Sequence, residues 1–435
     1  MKLRMRLVAL AALLTTVLAT GGFSPARNLA PGDPSMLNLA HVYTFDTGGG
    51  PTDPTGKGTD VEFYTSTVPL RDYTTGELIL DEEGNQILVD KDFAIMGSYG
   101  GGGWVFDITD PENVQFVRNI PCNQTQNDVQ LKKFEERWIL ALARDGGSNP
   151  CNTGVPNKGS GGAGIAVFDV TDPYAFTRIY NFRNTGGAHN FTFHPTKPYG
   201  WVSTGDLPGA LNHIPIINFT DVDNPTLAAD IQVEGGPHDI SFSADGLRAY
   251  VASENNARIY DVSNPAAPVL ISRTPNAGTY SHGFDPTPDR SMAVVTNESL
   301  ALGGFFAGGS TVCPGEGLTF FDIEGSNEAT PIPVGEYLPT GFAGRAPDNR
   351  ACTGHVGRIA PNSHVLSTGW YIGGVRVVDF ANPSLPTEVA HAVMPGTEVW
   401  AAKMYKGPYI YSADMRRGFD VYKWSGTGTA PWVAP

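Results

Sequence analysis

The stretch Gly235–Pro268, GGPHDISFSADGLRAYVASENNARIYDVSNPAAP, decides the fold. Its apolar/polar alternation and turn residues give a strand over His238–Ser243, an Ala-Asp-Gly turn, a strand over Arg248–Ser253, a polar turn and a strand over Arg258–Val262. A Ser-Asn-Pro stop then precedes a fourth strand, Val269–Arg273. Four short strands joined by tight turns in about forty residues have the composition of one propeller blade.

The unit recurs along the chain. An apolar strand ending in Asp, followed by an apolar residue, a small or hydroxyl residue, Asp/Asn and Pro, is found at Val105–Pro111, Val167–Pro173, Ile259–Pro265 and Val377–Pro383. Weaker copies end at Asn218, Asp322 and Asp420, so the marker position falls at 107, 169, 218, 261, 322, 379 and 420. Seven markers predict an all-β, seven-bladed propeller of four-stranded blades. The Asp and hydroxyl side chains suit a turn-closing role, because they bond nearby backbone N–H groups while Pro stops the strand.

The pattern resembles the LVIVD-repeat family of extracellular β-propellers, and the run Pro237–Ser253 is more faintly similar to YVTN-type propellers. The resemblance spans nearly the whole mature chain. It implies a fold and carries no reaction with it.

Residues 1–23 read as a secretory signal peptide: Lys2, Arg4 and Arg6 precede a short uncharged apolar run that ends in small residues. Residues 24–35 read as a flexible leader, 36–424 as the propeller and 425–435 as a C-terminal tail. The apolar run is too short to span a bilayer comfortably and no stop-transfer segment follows, so a secreted or periplasmic protein without a transmembrane segment is expected. The formal charge of −15 becomes −18 once the three signal-peptide cations are removed from the 29 Lys and Arg. Such acidity argues against nucleic acid or an anionic membrane as partner. With 52 Gly and 34 Pro beside a 41% hydrophobic fraction, the chain is rich in turns yet can fill a core.

Met36–Phe45 resembles the outer strand Thr387–Val393, and the last copy, Gly418–Trp424, lacks an outer strand of its own. The N-terminal segment is therefore expected to supply it and close the ring. Blade 1 carries a hairpin insertion at 66–92, which would hang from the face of the first-to-second strand turns, here called the bottom. The other long loops, 145–163, 205–213, 299–316 and 339–354, share the opposite, top face. That asymmetry makes the top the expected binding face for a protein, glycan or small-molecule ligand. Cys122, Cys151, Cys313 and Cys352 all fall in top loops; pairs 122–151 and 313–352 are favoured because each joins loops of the same or adjoining blade.

Aligned blades place His189, His238, His282 and His355 at the start of the innermost strands of blades 3 to 6. Asp60, Asp128 (or Asn127) and Glu398 take that place in blades 1, 2 and 7. Innermost strands line a propeller's channel, so two readings compete for the row. In one, the imidazoles converge on a transition metal (Cu, Fe or Zn) with carboxylates orienting their ring N–H groups, which would make a metal-dependent oxidative or hydrolytic enzyme. In the other, each His fastens its own blade, as a Gly-His pair does in WD-repeat propellers. Carotenoid-cleaving oxygenases are an architectural parallel for four His with outer carboxylates, but their motifs are missing here. Further top-face candidates for a ligand or a metal are Asp206, His213, Glu254, Glu298 and Asp414, with Trp370, Tyr371, Phe305 and Phe306 as an aromatic edge. No cofactor is fixed by motif, and a binding or interaction module acting through the top face is the leading functional expectation.

Overall fold

The computed structural model describes residues 29–47, 57–122, 126–145, 154–184, 186–205, 212–253, 256–275, 278, 280–298, 312–346 and 350–433. The expected signal peptide, residues 1–23, lies outside them, as do Cys151, Asp206, Glu254, Phe305 and Phe306. Seven antiparallel sheets, each with four consecutively hydrogen-bonded strands at its heart, form the seven blades. In blade 4 the strands are Pro237–Phe242, Arg248–Ser253, Asn256–Asp261 and Val269–Arg273, within two residues of the sequence reading. Among the described residues no helix is long and apolar enough to cross a membrane.

The marker residues close turns, as their chemistry requires. Asp107, Asp169, Asn218, Asp261, Asp322 and Asp379 each accept the backbone N–H two positions on, at 2.8–3.0 Å. Asp420 is the exception, being taken up by the ring closure. There, Leu39–Phe45 pairs antiparallel with Gly418–Trp424 and supplies the outer strand of blade 7. Asp420 accepts from His41 at 2.9 Å and from Arg417 at 2.8 Å, and Thr44 bonds the same carboxylate.

One correction concerns the extent of that strand. Met36–Phe45 is two strands rather than one: Ser35–Leu37 joins blade 6 as a fifth strand on Thr387–Val393, and the chain turns at Asn38, φ 54°, before entering blade 7. Asn is among the few non-glycine residues that tolerate this left-handed conformation. The N-terminal segment thus straddles two blades. Residues flanking the propeller also pack on it: Leu29 N–H donates to Gly341 O at 2.9 Å, and Trp432 donates to Gly407 O at 3.2 Å.

Inner strands of five blades carry a register shift at their channel-mouth end, after Gly58, Gln126, Pro237, Ser281 and Val399. A bulge places an extra residue on one strand and re-aims the side chains around it. Its consequence is a channel lined in layers. At least one residue of each inner strand, from Glu62 in blade 1 through Asp285 and Arg358 to Lys403 in blade 7, faces a cavity of about 350 Å³. This cavity extends from His282 and His355 to the bottom-face turns at Pro195 and Pro288.

Candidate functional site

The four histidines do meet. Ring centroids lie 4.2 Å apart for His189 and His238, 4.2 Å for His238 and His282, and 3.9 Å for His282 and His355, so the imidazoles form one unbroken row across blades 3 to 6. His238, His282 and His355 are each 2% exposed. Burial, with the neighbouring rings, holds His238 and His282 well below the ordinary imidazole range, and burial brings His355 down to about 3. All three are therefore neutral at neutral pH, the form a metal ligand takes.

The other three blades do not continue the row with carboxylates. Strand pairing puts Thr59, Asn127 and Trp400 at the register of the histidines in blades 1, 2 and 7. Asp60 and Asp128 come one residue later, level with Asp239, and Glu398 lies two residues before Trp400. Blades 4 and 5 carry the same kind of bulge at His238 and His282, so these carboxylates are off the row because they occupy adjacent register positions of inner strands whose start the repeat pattern does not mark. Asp60 is held by Lys403 at 2.6 Å, Asp128 accepts the Phe191 N–H at 3.1 Å, and Glu398 pairs with Arg416 at 2.7 Å.

Hydrogen bonds from the row run to neighbouring blades. His189 Nδ1 lies 2.6 Å from Asp145, at the end of blade 2's second strand. Gly205, φ 69°, backs this ring so closely that a Cβ there would come 2.9 Å from His189 Cβ. His355 Nδ1 is 2.9 Å from the Trp400 carbonyl oxygen, which can only accept, so this nitrogen carries the proton and Nε2 is left as a lone pair. That lone pair faces Glu298 Oε1 across 3.6 Å.

Glu298 is the carboxylate that joins the row. It is buried, its Oε1 accepts the Tyr371 O–H at 2.5 Å, and its Oε2 lies 3.9 Å from His282 Nε2. Ligand-type atoms of His238, His282 and Glu298 all fall within 4.8 Å of one another. Tyr371 sits at φ 42° and is clamped by two backbone hydrogen bonds with Val399, so a strained backbone aims its hydroxyl.

The remaining candidates are placed elsewhere. His213 pairs with Asp230 of its own blade at 2.6 Å. Both oxygens of Asp414 accept backbone N–H groups, from Glu398 at 3.0 Å and from Arg416 at 2.8 Å, and burial pushes its carboxyl up to about 6. Trp370 and Tyr371 form no exposed aromatic edge: Trp370 is enclosed and donates to Pro314 O at 2.9 Å, and Tyr371 is buried under Glu298. Cys313 and Cys352 are bonded as expected; Cys122 is also in a disulfide, and its expected partner, Cys151, is outside the described residues.

Sequence reasoning overlooked the channel below the row. Asp239, pushed up to about 7, and Asp285, to about 6, line it with Glu62, Lys403 and Arg358, and burial is the first cause of both shifts. The available signal was positional: these residues stand one or three places after the mouth position of each inner strand.

A family model of the LVIVD repeat matches residues 240–274, most of blade 4. No curated protein matches the chain. Among solved structures, the β-propeller domain of Cps50 (Swd1) from Myceliophteria thermophila is similar, with a TM-score of 0.52 and 9% identity over 77% of this chain and 94% of that one. At that identity the likeness is one of fold.

Proposed function

We propose that this LVIVD-repeat β-propeller is an exported binding module that takes a small ligand at the top mouth of its central channel. The observation that carries the reading is the row of four contiguous imidazoles. Blades 1, 2 and 7 close with Thr59, Asn127 and Trp400 at the same register, so a blade needs no histidine there. Four adjacent blades carry one nonetheless. The ring hydrogen bonds of His189 to Asp145 and of His355 to the Trp400 carbonyl run to neighbouring blades, and enclosing His238 Nδ1 without a hydrogen-bond partner of good geometry costs free energy that a ligand would return.

Burial also narrows the ligand class. A protein or glycan surface resting on the loops would not reach rings that are almost fully enclosed, whereas an ion or a small molecule would. The Cys313–Cys352 disulfide supports an oxidising compartment. A second reading, metal-dependent catalysis at the same mouth, is favoured by the Asp145 carboxylate on His189, an arrangement that orients an imidazole to accept a proton.

Native mass spectrometry of protein purified from its own host without chelator tests the reading. Wild type should show a mass excess over the mature chain, organic or inorganic, that is missing from a His238→Ala/His282→Ala variant. No excess in the wild type, with a variant that merely melts earlier, would make the histidines blade fasteners and refute the reading.

A further inference from the structure

We infer that the mouth holds a divalent first-row metal on two histidines and one glutamate, His238, His282 and Glu298, with His355 as an additional donor and His189 outside the ligand set. The inference rests on the ligand-binding reading above and makes it specific. It departs from the expectation of four equivalent imidazoles.

Three observations converge on that point. The ligand-type atoms of His238, His282 and Glu298 lie within 4.8 Å of one another. Three donors on one metal, at bonds of about 2.1 Å, stand about 3.4 Å apart in a tetrahedral arrangement, so side-chain movements of up to about an ångström close the site. Second, His238 Nδ1 is enclosed and finds no hydrogen-bond partner of good geometry. Third, the proton on His355 Nδ1 is fixed by the Trp400 carbonyl, which turns the Nε2 lone pair toward a carboxylate oxygen at 3.6 Å. Two acceptors facing each other in an enclosed site are unfavourable unless a proton or a metal cation is shared between them.

The division of labour within Glu298 supports the same set. Tyr371 donates to Oε1 while Oε2 lies on the side of His282 Nε2, so this hydrogen bond fixes which oxygen faces the imidazole. Hydrogen bonds of this kind orient ligating carboxylates and are needed for full affinity. His189 has no comparable role: its Nδ1 is bonded to Asp145, and it reaches the row by ring contact with His238. Two neutral imidazoles and a carboxylate are a donor set for Zn²⁺ or Fe²⁺, and leave positions open for a further ligand.

The test is metal titration of the full-length mature protein after chelation and dialysis, with Zn²⁺ and, anaerobically, Fe²⁺ as probes. Metal content would be counted by elemental mass spectrometry, and Co²⁺ would serve as an optical reporter of the ligand set. The expected result is about one metal per chain, with affinity down by at least about 100-fold in Glu298→Gln and His282→Ala, by about tenfold in His355→Ala, and by less than any of these in His189→Ala, which removes only a ring packed on His238. Glu298→Gln is close in shape to the native side chain, and near-ultraviolet circular dichroism separates a lost ligand from a lost fold. Binding that survives Glu298→Gln, or that falls as far in His189→Ala as in His282→Ala, would overturn the assignment. So would a mouth that carries an organic ligand in native mass spectrometry yet takes up neither metal, an outcome that leaves the broader reading standing.

Discussion

Tyr371 and Glu298 are 73 positions apart and belong to blades 6 and 5, yet the phenol donates to the carboxylate at 2.5 Å in an enclosed site. Neither residue is on an inner strand. Each follows the second strand of its blade, where the chain turns over the channel mouth. The pair therefore couples the seam between two blades to the row of imidazoles.

Replacing Tyr371 by Phe keeps the ring and removes only the donor. Because hydrogen bonds to charged groups contribute about 1.5–3 kcal/mol, the variant should lose stability in that range, and its metal affinity should fall by about 10–100-fold. Denaturant unfolding and competitive Zn²⁺ titration measure the two effects. A variant as stable and as tight as wild type would show that the hydroxyl neither holds nor orients Glu298.

The ring closure makes a separate prediction. Phe45 packs on Phe106 and Phe116 of blade 1, with centroids 5.2 and 4.8 Å apart, while its strand pairs with blade 7. Phe45→Ala should then loosen two blades at once and cost about 2 kcal/mol, less than a fully buried Phe because the ring is partly exposed. Hydrogen exchange should quicken in Gly418–Trp424 and leave blade 4 unchanged. Uniform quickening around the ring would contradict a local clasp.

The disulfide closes a loop of 39 residues between blades 5 and 6, next to the mouth. Loop-closure entropy at this length corresponds to about 3–4 kcal/mol. A Cys313→Ser/Cys352→Ser variant should melt well below the oxidised wild type. Reducing the wild type with Cys122 still bonded should reproduce most of the loss, provided the 313–352 pair is the one reduced, which mass mapping of alkylated cysteines checks. Equal melting temperatures would mean that the loop is held by its packing alone.

Much of this architecture was legible because its causes are local. An Asp or Asn that closes a turn two residues on leaves the same mark in six of the seven blades, and the missing outer strand after Trp424 pointed to the N-terminal segment. The meeting of His189, His238, His282 and His355 followed from their common position in the repeat. What escaped was set by departures from regularity. Asp60, Asp128 and Glu398 stand one or two residues off the row, because in a bulged inner strand the count from the turn residues does not fix the register, and no residue type marks a bulge uniquely. Asn38 broke one expected strand in two by a single left-handed residue. The Tyr371–Glu298 bond joins loops whose proximity depends on how two blades pack, which no periodicity records.

His194 gives a pH dependence whose sign follows from its bonds. It is buried at the bottom end of blade 3, where its Nε2 donates to the Gly246 carbonyl at 2.9 Å and its Nδ1 accepts the Lys197 N–H at 3.1 Å. The neutral ring is satisfied on both sides, and burial lowers its pKa to about 4. In the unfolded chain the ring protonates near pH 6.5, so its contribution is complete above that value and is lost as the pH falls toward 4. Asp414 works in the opposite sense: burial raises it to about 6, so its contribution is present below about pH 4 and is lost as the pH rises through 6. Melting temperatures of wild type, His194→Gln and Asp414→Asn between pH 4 and 8 separate the two. The gap between wild type and His194→Gln should widen as the pH rises from 4 to 6.5 and then stay constant. A gap independent of pH would mean that the ring does not titrate differently in the two states, and that Gly246 and Lys197 do not hold it neutral.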